Sequence, residues 1–122
     1  MYEGSCLCGS VRYRFNSEPV KVSHCHCRMC QKQHGAAFAT YARVAVEDLV
    51  YTQGADKLVA YASSPTVRRK FCGSCGSSLE WNAGDALPGW TSVALATLDT
   101  PFQPASIVEV CGESRVPWLG SS

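Results

Sequence analysis

Eight cysteines in a chain of 122 residues constrain this sequence more than any other feature. Short spacings let neighbouring thiolates converge on one ion at about 2.3 Å. In a reducing compartment, cysteines so spaced are metal ligands more often than disulfide partners. The first residues show no basic and apolar leader, which predicts a cytoplasmic metal-binding protein rather than a secreted disulfide scaffold.

Two of the cysteine groups are pairs of ligands, and together they complete one closed metal site. In "CGSCG", residues 72–76, a glycine follows each cysteine, as in a zinc knuckle. In "CLCG", residues 6–9, alternation along a strand places both thiols on one face. Four thiolates leave no coordination position open, so we predict a structural zinc held by Cys6, Cys8, Cys72 and Cys75.

A second site is predicted in "SHCHCRMCQKQHG", residues 23–35. Its three cysteines favour a zinc with a fourth position open to water or substrate, as in catalytic sites. An iron centre, or metal-free thiols with a redox function, are alternatives. The cysteines are Cys25, Cys27 and Cys30, and the histidines that could close the site are His24, His26 and His34. An extended segment turns His26 away from the thiols, whereas His34 has the reach.

Charge indicates what the second zinc can do. With three thiolates it carries a formal charge of −1, so it suits a soft ligand such as a substrate thiolate better than hydroxide. Arg28 and His34 are the candidate catalytic residues, pairing with a substrate carboxylate and moving a proton, respectively. Other cations that could serve are Lys32, Arg68, Arg69 and Lys70. Cys111 stands alone and is expected to be buried in a strand as a small apolar residue.

Strand patterns dominate the rest of the chain, with turns rich in Gly, Pro, Asn, Asp and Ser between them. About seven strands are predicted, in "SVRYRF", "AAFATYARV", "LVAYAS", "VRRKF", "SLEWN", "TSVALATL" and "SIVEV". The one helical indication is a turn at "VEDL". The predicted fold is a single, mainly β, antiparallel domain over residues 1–122, with a core that includes Phe15, Phe38, Tyr41, Leu95 and Leu98.

Composition argues against two classes of partner. The net charge is only +1, and no long basic run is present, which disfavours a nucleic-acid partner. No apolar run approaches the roughly 18 residues that cross a bilayer, which disfavours a membrane partner. A small thiol substrate is the expected partner, and the alternative function is a non-catalytic structural zinc module for protein or chromatin contact.

Longer motifs resemble one known family. "GSCLCGSVRYRF", "SHCHCRMCQKQHGAAFATYARV", "LVAYASSPTVRRKFCGSCGSSLEW" and "SRVPWLG" are similar to the glutathione-dependent formaldehyde-activating enzyme (Gfa) family, also called the Gfa/centromere protein V family. The resemblance implies a zinc-bound β-tent fold with one structural and one exchangeable zinc. It also implies carbon–sulfur lyase chemistry on a thiol–aldehyde adduct such as S-(hydroxymethyl)glutathione. Ser106 stands where family members often have a histidine.

Overall fold

The chain folds mainly into short strands, and the computed structural model describes residues 1–120. The ten strands in this range are β1 (Tyr2–Ser5), β2 (Arg12–Phe15), β3 (Lys21–Cys25), β4 (Ala39–Ala45), β5 (Val50–Gln53), β6 (Leu58–Ala62), β7 (Arg68–Cys72), β8 (Ser78–Asn82), β9 (Trp90–Ala94) and β10 (Val108–Val110). Helix α1 spans Arg28–His34, and short 3-10 helices occupy Ala55–Lys57, Gly84–Ala86, Leu95–Thr97, Gly112–Ser114 and Pro117–Leu119. Within residues 1–120, no helix has the length and apolar character that a membrane crossing requires.

The strands form two sheets. The small sheet has the order β1-β2-β5, and the large sheet has the order β10-β3-β4-β9-β8-β7-β6. Neighbouring strands are antiparallel except for β10 and β3, which run parallel with Val110 opposite Cys25. The prediction of a small, mainly antiparallel β fold is therefore confirmed, with one parallel pair at the edge of the large sheet.

Six elements differ from the sequence prediction. Strands β1, β3 and β5 and helix α1 were not predicted, whereas "VEDL" forms a turn rather than a helix. The apolar run "TSVALATL" is a strand only as far as Ala94 and continues as a 3-10 helix. Helix α1 has no amphipathic apolar stripe, and it begins because the Cys27 thiol accepts a hydrogen bond from the Cys30 amide at the helix N-terminus.

The main core lies between the two sheets. Tyr13 and Phe15 of β2 pack with Ala42 and Val44 of β4 in a cluster of almost fully buried residues. Because side chains alternate along a strand, Tyr41 and its alternate neighbours on β4 point to the opposite face of the large sheet, where α1 packs. Of the predicted core residues, Phe15 and Tyr41 are buried, while the partly exposed ones are Phe38, Leu95 and Leu98.

One buried carboxylate connects the two sheets. Glu80 of β8 is 4% exposed and accepts hydrogen bonds from the Tyr51 hydroxyl at 2.6 Å and the Thr91 hydroxyl at 2.5 Å. Lys70 on the neighbouring strand lies 3.4 Å from the same carboxylate. Burial, together with Glu80, raises the pKa of Tyr51, so its hydroxyl stays protonated and can donate.

We predict that Tyr51→Phe lowers the free energy of unfolding by about 1–3 kcal/mol, because it leaves a buried carboxylate short of a donor without changing the shape of the side chain. Chemical denaturation of both proteins measures the difference. Tyr61→Phe is the matched control, since Tyr61 is 61% exposed on the edge strand β6, and its effect should stay within about 0.5 kcal/mol. Equal effects of the two variants would contradict the role given to this hydrogen bond.

Candidate metal centres and the adjoining cavity

Four cysteines from two distant turns meet at one point, here called the four-cysteine cluster. Their sulfur atoms all lie within 4.8 Å of one another, and the residues are Cys6, Cys8, Cys72 and Cys75. The Sγ–Sγ distances are 3.6 Å for Cys6–Cys8 and 3.9 Å for Cys8–Cys72. Bonds of about 2.3 Å at tetrahedral angles require a separation of about 3.8 Å, so this set of thiols fits a tetrahedral zinc ion.

The turns that carry these cysteines depend on backbone conformations that glycine provides. Gly9 and Gly76 follow a cysteine and have φ values of 79° and 82°, in the left-handed region. Cys6 and Cys8 lie in the turn between β1 and β2, so a turn brings their thiols together and not the strand alternation that the sequence suggested. The cluster thereby links a loop of the small sheet to the β7–β8 turn of the large sheet.

Two serines that sequence reasoning missed hydrogen-bond to the outer thiols. Ser10 Oγ lies 3.2 Å from Cys8 Sγ, and Ser77 Oγ lies 3.2 Å from Cys75 Sγ. These hydroxyls lower the pKa of both thiols, that of Cys75 to about 5. The two lowered pKa values favour the thiolate form, which is the form that binds a metal. The tripeptide Cys-Gly-Ser occurs three times in the sequence, at residues 8–10, 72–74 and 75–77. In the first and third copies the serine hydroxyl contacts the thiol, whereas in the second the backbone amide of Ser74 does.

A second group, the three-cysteine cluster, forms where β3 meets α1. Cys25 ends β3, Cys27 caps the N-terminus of α1, and Cys30 lies in its first turn. The three sulfur atoms lie within 4.8 Å of one another, and Cys30 and Cys25 are 3.3 Å apart. Thiolates at this spacing are soft ligands for zinc, and the three of them leave a tetrahedral ion one ligand short.

Arg69 of β7 is the cation beside this cluster. It is 4% exposed, and its guanidinium donates to Cys30 Sγ at 3.5 Å, to Gln33 at 3.2 Å and to Ser63 at 2.9 Å. Hydrogen bonding with Cys25, aided by Arg69 against the opposing effect of burial, lowers the pKa of Cys30 to about 5. The same hydrogen bond, together with burial, raises the pKa of Cys25, so the arrangement stabilises one negative charge, on Cys30.

The three histidines lie around the cluster but hydrogen-bond elsewhere. His24 and His26 both contact the Glu109 carboxylate, at 3.0 Å and 2.8 Å. His34 Nε2 lies 3.0 Å from the hydroxyl of Tyr41, and burial lowers the pKa of the imidazole. In the described part of the chain, the group of close ligand atoms at the three-cysteine cluster contains no histidine.

A cavity of about 290 Å³ opens beside the three-cysteine cluster, and we call it the thiol cavity. The three cysteines, Tyr41, Trp81 and Arg69 are among its lining residues. The four-cysteine cluster contributes nothing to this lining, within residues 1–120. The two groups of thiols therefore differ in access: one cluster adjoins a cavity that can admit a small ligand.

Two predicted residues take other positions. Arg28 contacts Gln31 and, with Lys32 and Trp118, lines a depression separate from the thiol cavity. Its contact with a substrate carboxylate stays a prediction. Cys111 is not a buried strand residue. It follows β10 with a φ of 57°, is half-buried and lines the thiol cavity, because the chain turns sharply after the short strand ends.

Similar proteins were found by sequence and by structure. A Halomonas elongata protein provisionally named as a glutathione-dependent formaldehyde-activating enzyme is 28% identical over 98% of this chain and 80% of its own length. An uncharacterized lyase of Schizosaccharomyces pombe is 32% identical over 64% of this chain and 55% of that protein, so the match spans about half of the yeast protein. A crystal structure of a Rhodobacter sphaeroides protein has a TM-score of 0.70 at 24% identity and covers 88% of this chain and 99% of that one, which shows a shared fold.

The family described as glutathione-dependent formaldehyde-activating enzyme matches residues 1–113, nearly the whole chain. Both cysteine clusters lie inside this range. The chain belongs to the glutathione-dependent formaldehyde-activating enzyme family.

Proposed function

We propose that this protein is a zinc-dependent carbon–sulfur lyase that acts on a thiol–aldehyde adduct such as S-(hydroxymethyl)glutathione. The observation that carries the proposal is the three-cysteine cluster at the wall of the thiol cavity, where a substrate sulfur can reach the open ligand position. Family membership supports the same substrate class, since a similar protein of Halomonas elongata carries a glutathione-dependent name.

The two clusters receive different functions in this proposal. The four-cysteine cluster holds a structural zinc, because four thiols already complete a tetrahedral site. Such an ion supplies an apparent ~10–16 kcal/mol to folding, as much as the ~5–15 kcal/mol net stability of a typical domain. We infer that residues 1–122 form a single domain because this link ties the two sheets together.

The three-cysteine cluster receives the exchangeable zinc, which supplies a position for a soft sulfur ligand and lowers the pKa of a thiol bound there. Arg69 offsets the negative charge that three thiolates create, at 3.5 Å from Cys30. Trp81 and Tyr41 line the cavity and pack in one apolar cluster with the three cysteines.

His34 is the proposed proton acceptor, and it acts through Tyr41. Cleavage of the carbon–sulfur bond turns the adduct hydroxyl into a carbonyl, leaves the bonding electrons on sulfur and releases the hydroxyl proton. Tyr41 faces the cavity and lies within hydrogen-bond distance of His34, whose lowered pKa keeps the imidazole neutral and able to accept that proton. The pairing of Arg28 with a substrate carboxylate remains part of the proposal. In the structure Arg28 contacts Gln31, whose amide donates to the backbone oxygens of His26 and Ser114 at the start of α1.

A cytoplasmic location fits this chemistry. All eight cysteines are free thiols in the structure, and thiolate ligands and thiol substrates both persist in a reducing compartment. The expected partner is a low-molecular-weight thiol, and no nucleic acid or membrane is required for the reaction.

We predict that the purified protein contains about two zinc ions per chain and that a mild chelator removes one of them first. Loss of the first ion should leave the thermal unfolding temperature nearly unchanged, because the exchangeable site lies at a cavity wall. Removal of the second should unfold the chain. Native mass spectrometry with thermal melts follows both steps, and simultaneous loss of the two ions would contradict the division of roles.

We predict that Cys27→Ser abolishes the binding of glutathione and leaves the chain folded with about one zinc ion, because the cavity site loses a thiolate. Isothermal titration calorimetry and metal analysis give the two results. The matched control is Cys111→Ser, which changes a thiol outside the cluster and should keep both ions. Unchanged affinity for glutathione in Cys27→Ser would overturn the proposed function.

We predict that His34→Gln lowers the rate of adduct formation and cleavage by about 10²-fold while the affinity for glutathione stays the same, because only proton transfer is lost. NMR exchange spectroscopy of glutathione with labelled formaldehyde measures the rate. His24→Gln is the control, since His24 pairs with Glu109 and is not among the residues lining the cavity. A rate in His34→Gln equal to that of the unchanged protein would exclude this role.

A further inference from the structure

One row of side chains crosses the large sheet beneath the thiol cavity. The strand registers place neighbours opposite one another from β3 to β7, and all members of the row line the cavity. In spatial order they are Lys21, Arg43, Ser92, Trp81 and Arg69. Cations therefore occupy both ends of the row, with Trp81 and Ser92 between them.

The two ends differ in how their cations are satisfied. Arg69 donates to Cys30 and to two other side chains, as described above. At the other end, the Nε atom of Arg43 is buried and has no hydrogen-bond partner. Within residues 1–120, neither Arg43 nor Lys21 forms an ion pair, and the cavity lining contains no carboxylate. A buried donor without an acceptor is unfavourable, so this end is complementary to an anion.

The thiolates of the three-cysteine cluster are not that anion. Lys21 and Cys25 lie at opposite ends of β3, which corresponds to about 13 Å along the strand at a rise of about 3.3 Å per residue. In the described residues, the cation that hydrogen-bonds to a sulfur atom of this cluster is Arg69, not Lys21 or Arg43. Arg69, in contact with Cys30, already offsets the charge on sulfur. Lys21 and Arg43 are therefore available to a ligand.

We propose that Arg43 and Lys21 bind a carboxylate of the thiol substrate and that the cavity selects thiols whose carboxylate lies a peptide-length spacer away from the sulfur. This inference rests on the proposed function, because the sulfur end of the ligand is assigned to the three-cysteine cluster. Free cysteine carries its carboxylate too close to its sulfur to reach both ends of the cavity. A tripeptide thiol such as glutathione can span them.

The test is isothermal titration calorimetry of the zinc-loaded protein with three ligands: glutathione, the neutral thiol 2-mercaptoethanol, and S-methylglutathione, which keeps the carboxylates but has no free thiol. Arg43→Gln should weaken glutathione binding by about 10-fold to 100-fold, as expected for a lost charge-assisted hydrogen bond. Lys21→Gln should weaken it less, because Lys21 is a flexible point charge. The affinity for 2-mercaptoethanol should not change in either variant.

Two further variants test whether a loss of affinity is specific to the charge at residue 43. Arg43→Lys keeps the charge and should retain most of the affinity for glutathione, and Arg12→Gln removes an exposed arginine outside the cavity lining and should have no effect. Thermal melts report whether each variant is folded. If Arg43→Gln fails to fold, the other two variants provide the test. Weaker binding of glutathione by Lys21→Gln, with most of the affinity kept by Arg43→Lys, supports the carboxylate site, and unchanged binding by Lys21→Gln overturns it.

The possible results separate this inference from the proposed function. Equal weakening of 2-mercaptoethanol and glutathione in Arg43→Gln, or no weakening of either, would overturn the carboxylate site alone. If the unchanged protein binds S-methylglutathione as tightly as glutathione, and Arg43→Gln weakens both, the carboxylate site stands and sulfur binding at the cysteines fails. If the unchanged protein binds none of the three ligands, both proposals are wrong.

Discussion

The meeting of four thiols from two turns is the constraint on which the rest of this structure depends. Cys6 and Cys8 lie between β1 and β2 of the small sheet, whereas Cys72 ends β7 of the large sheet and Cys75 lies in the turn that follows. The cluster therefore lies where the two sheets meet. The buried cluster around Tyr13 fills the space between them. With the two sheets held on one face, the other face of the large sheet is free to carry polar and reactive side chains.

Two sets of thiols in one small chain acquire different properties from their surroundings. The four-cysteine cluster is satisfied by its own turns, in which backbone amides and the hydroxyls of Ser10 and Ser77 contact sulfur. In the three-cysteine cluster, Cys30 accepts a hydrogen bond from Arg69, a residue distant in sequence, and all three cysteines line a cavity. A closed shell of local contacts favours a permanent link, whereas an incomplete shell next to a cavity favours exchange of a ligand.

Local sequence spacing predicted the grouping of the cysteines, because a short loop holds its own ligands close together. Contacts that depend on strand register could not be predicted in the same way. Arg69 precedes the Cys72 knuckle in sequence, yet it contacts the other cluster, because β7 extends across the sheet from one site toward the other. The helix α1 was missed because its stability comes from the Cys27 cap and from burial of Cys30 and Gln31, not from an apolar repeat.

The alternation of side chains along β3 and β4 explains how so short a chain forms a cavity without an added lobe. Val22 and Ala42 point into the core, whereas Lys21 and Arg43, one residue away in each strand, point to the opposite face. On that face α1 packs against β4 and reaches β7 and β8 through hydrogen bonds of Cys30 and Gln33 with Arg69 and Ser78. The thiol cavity opens beside α1 and is lined by residues of both the helix and the strands. A shift of register by one residue would exchange the two sets of side chains, so the packing that stabilises the core also fixes the positions of the cavity's charges.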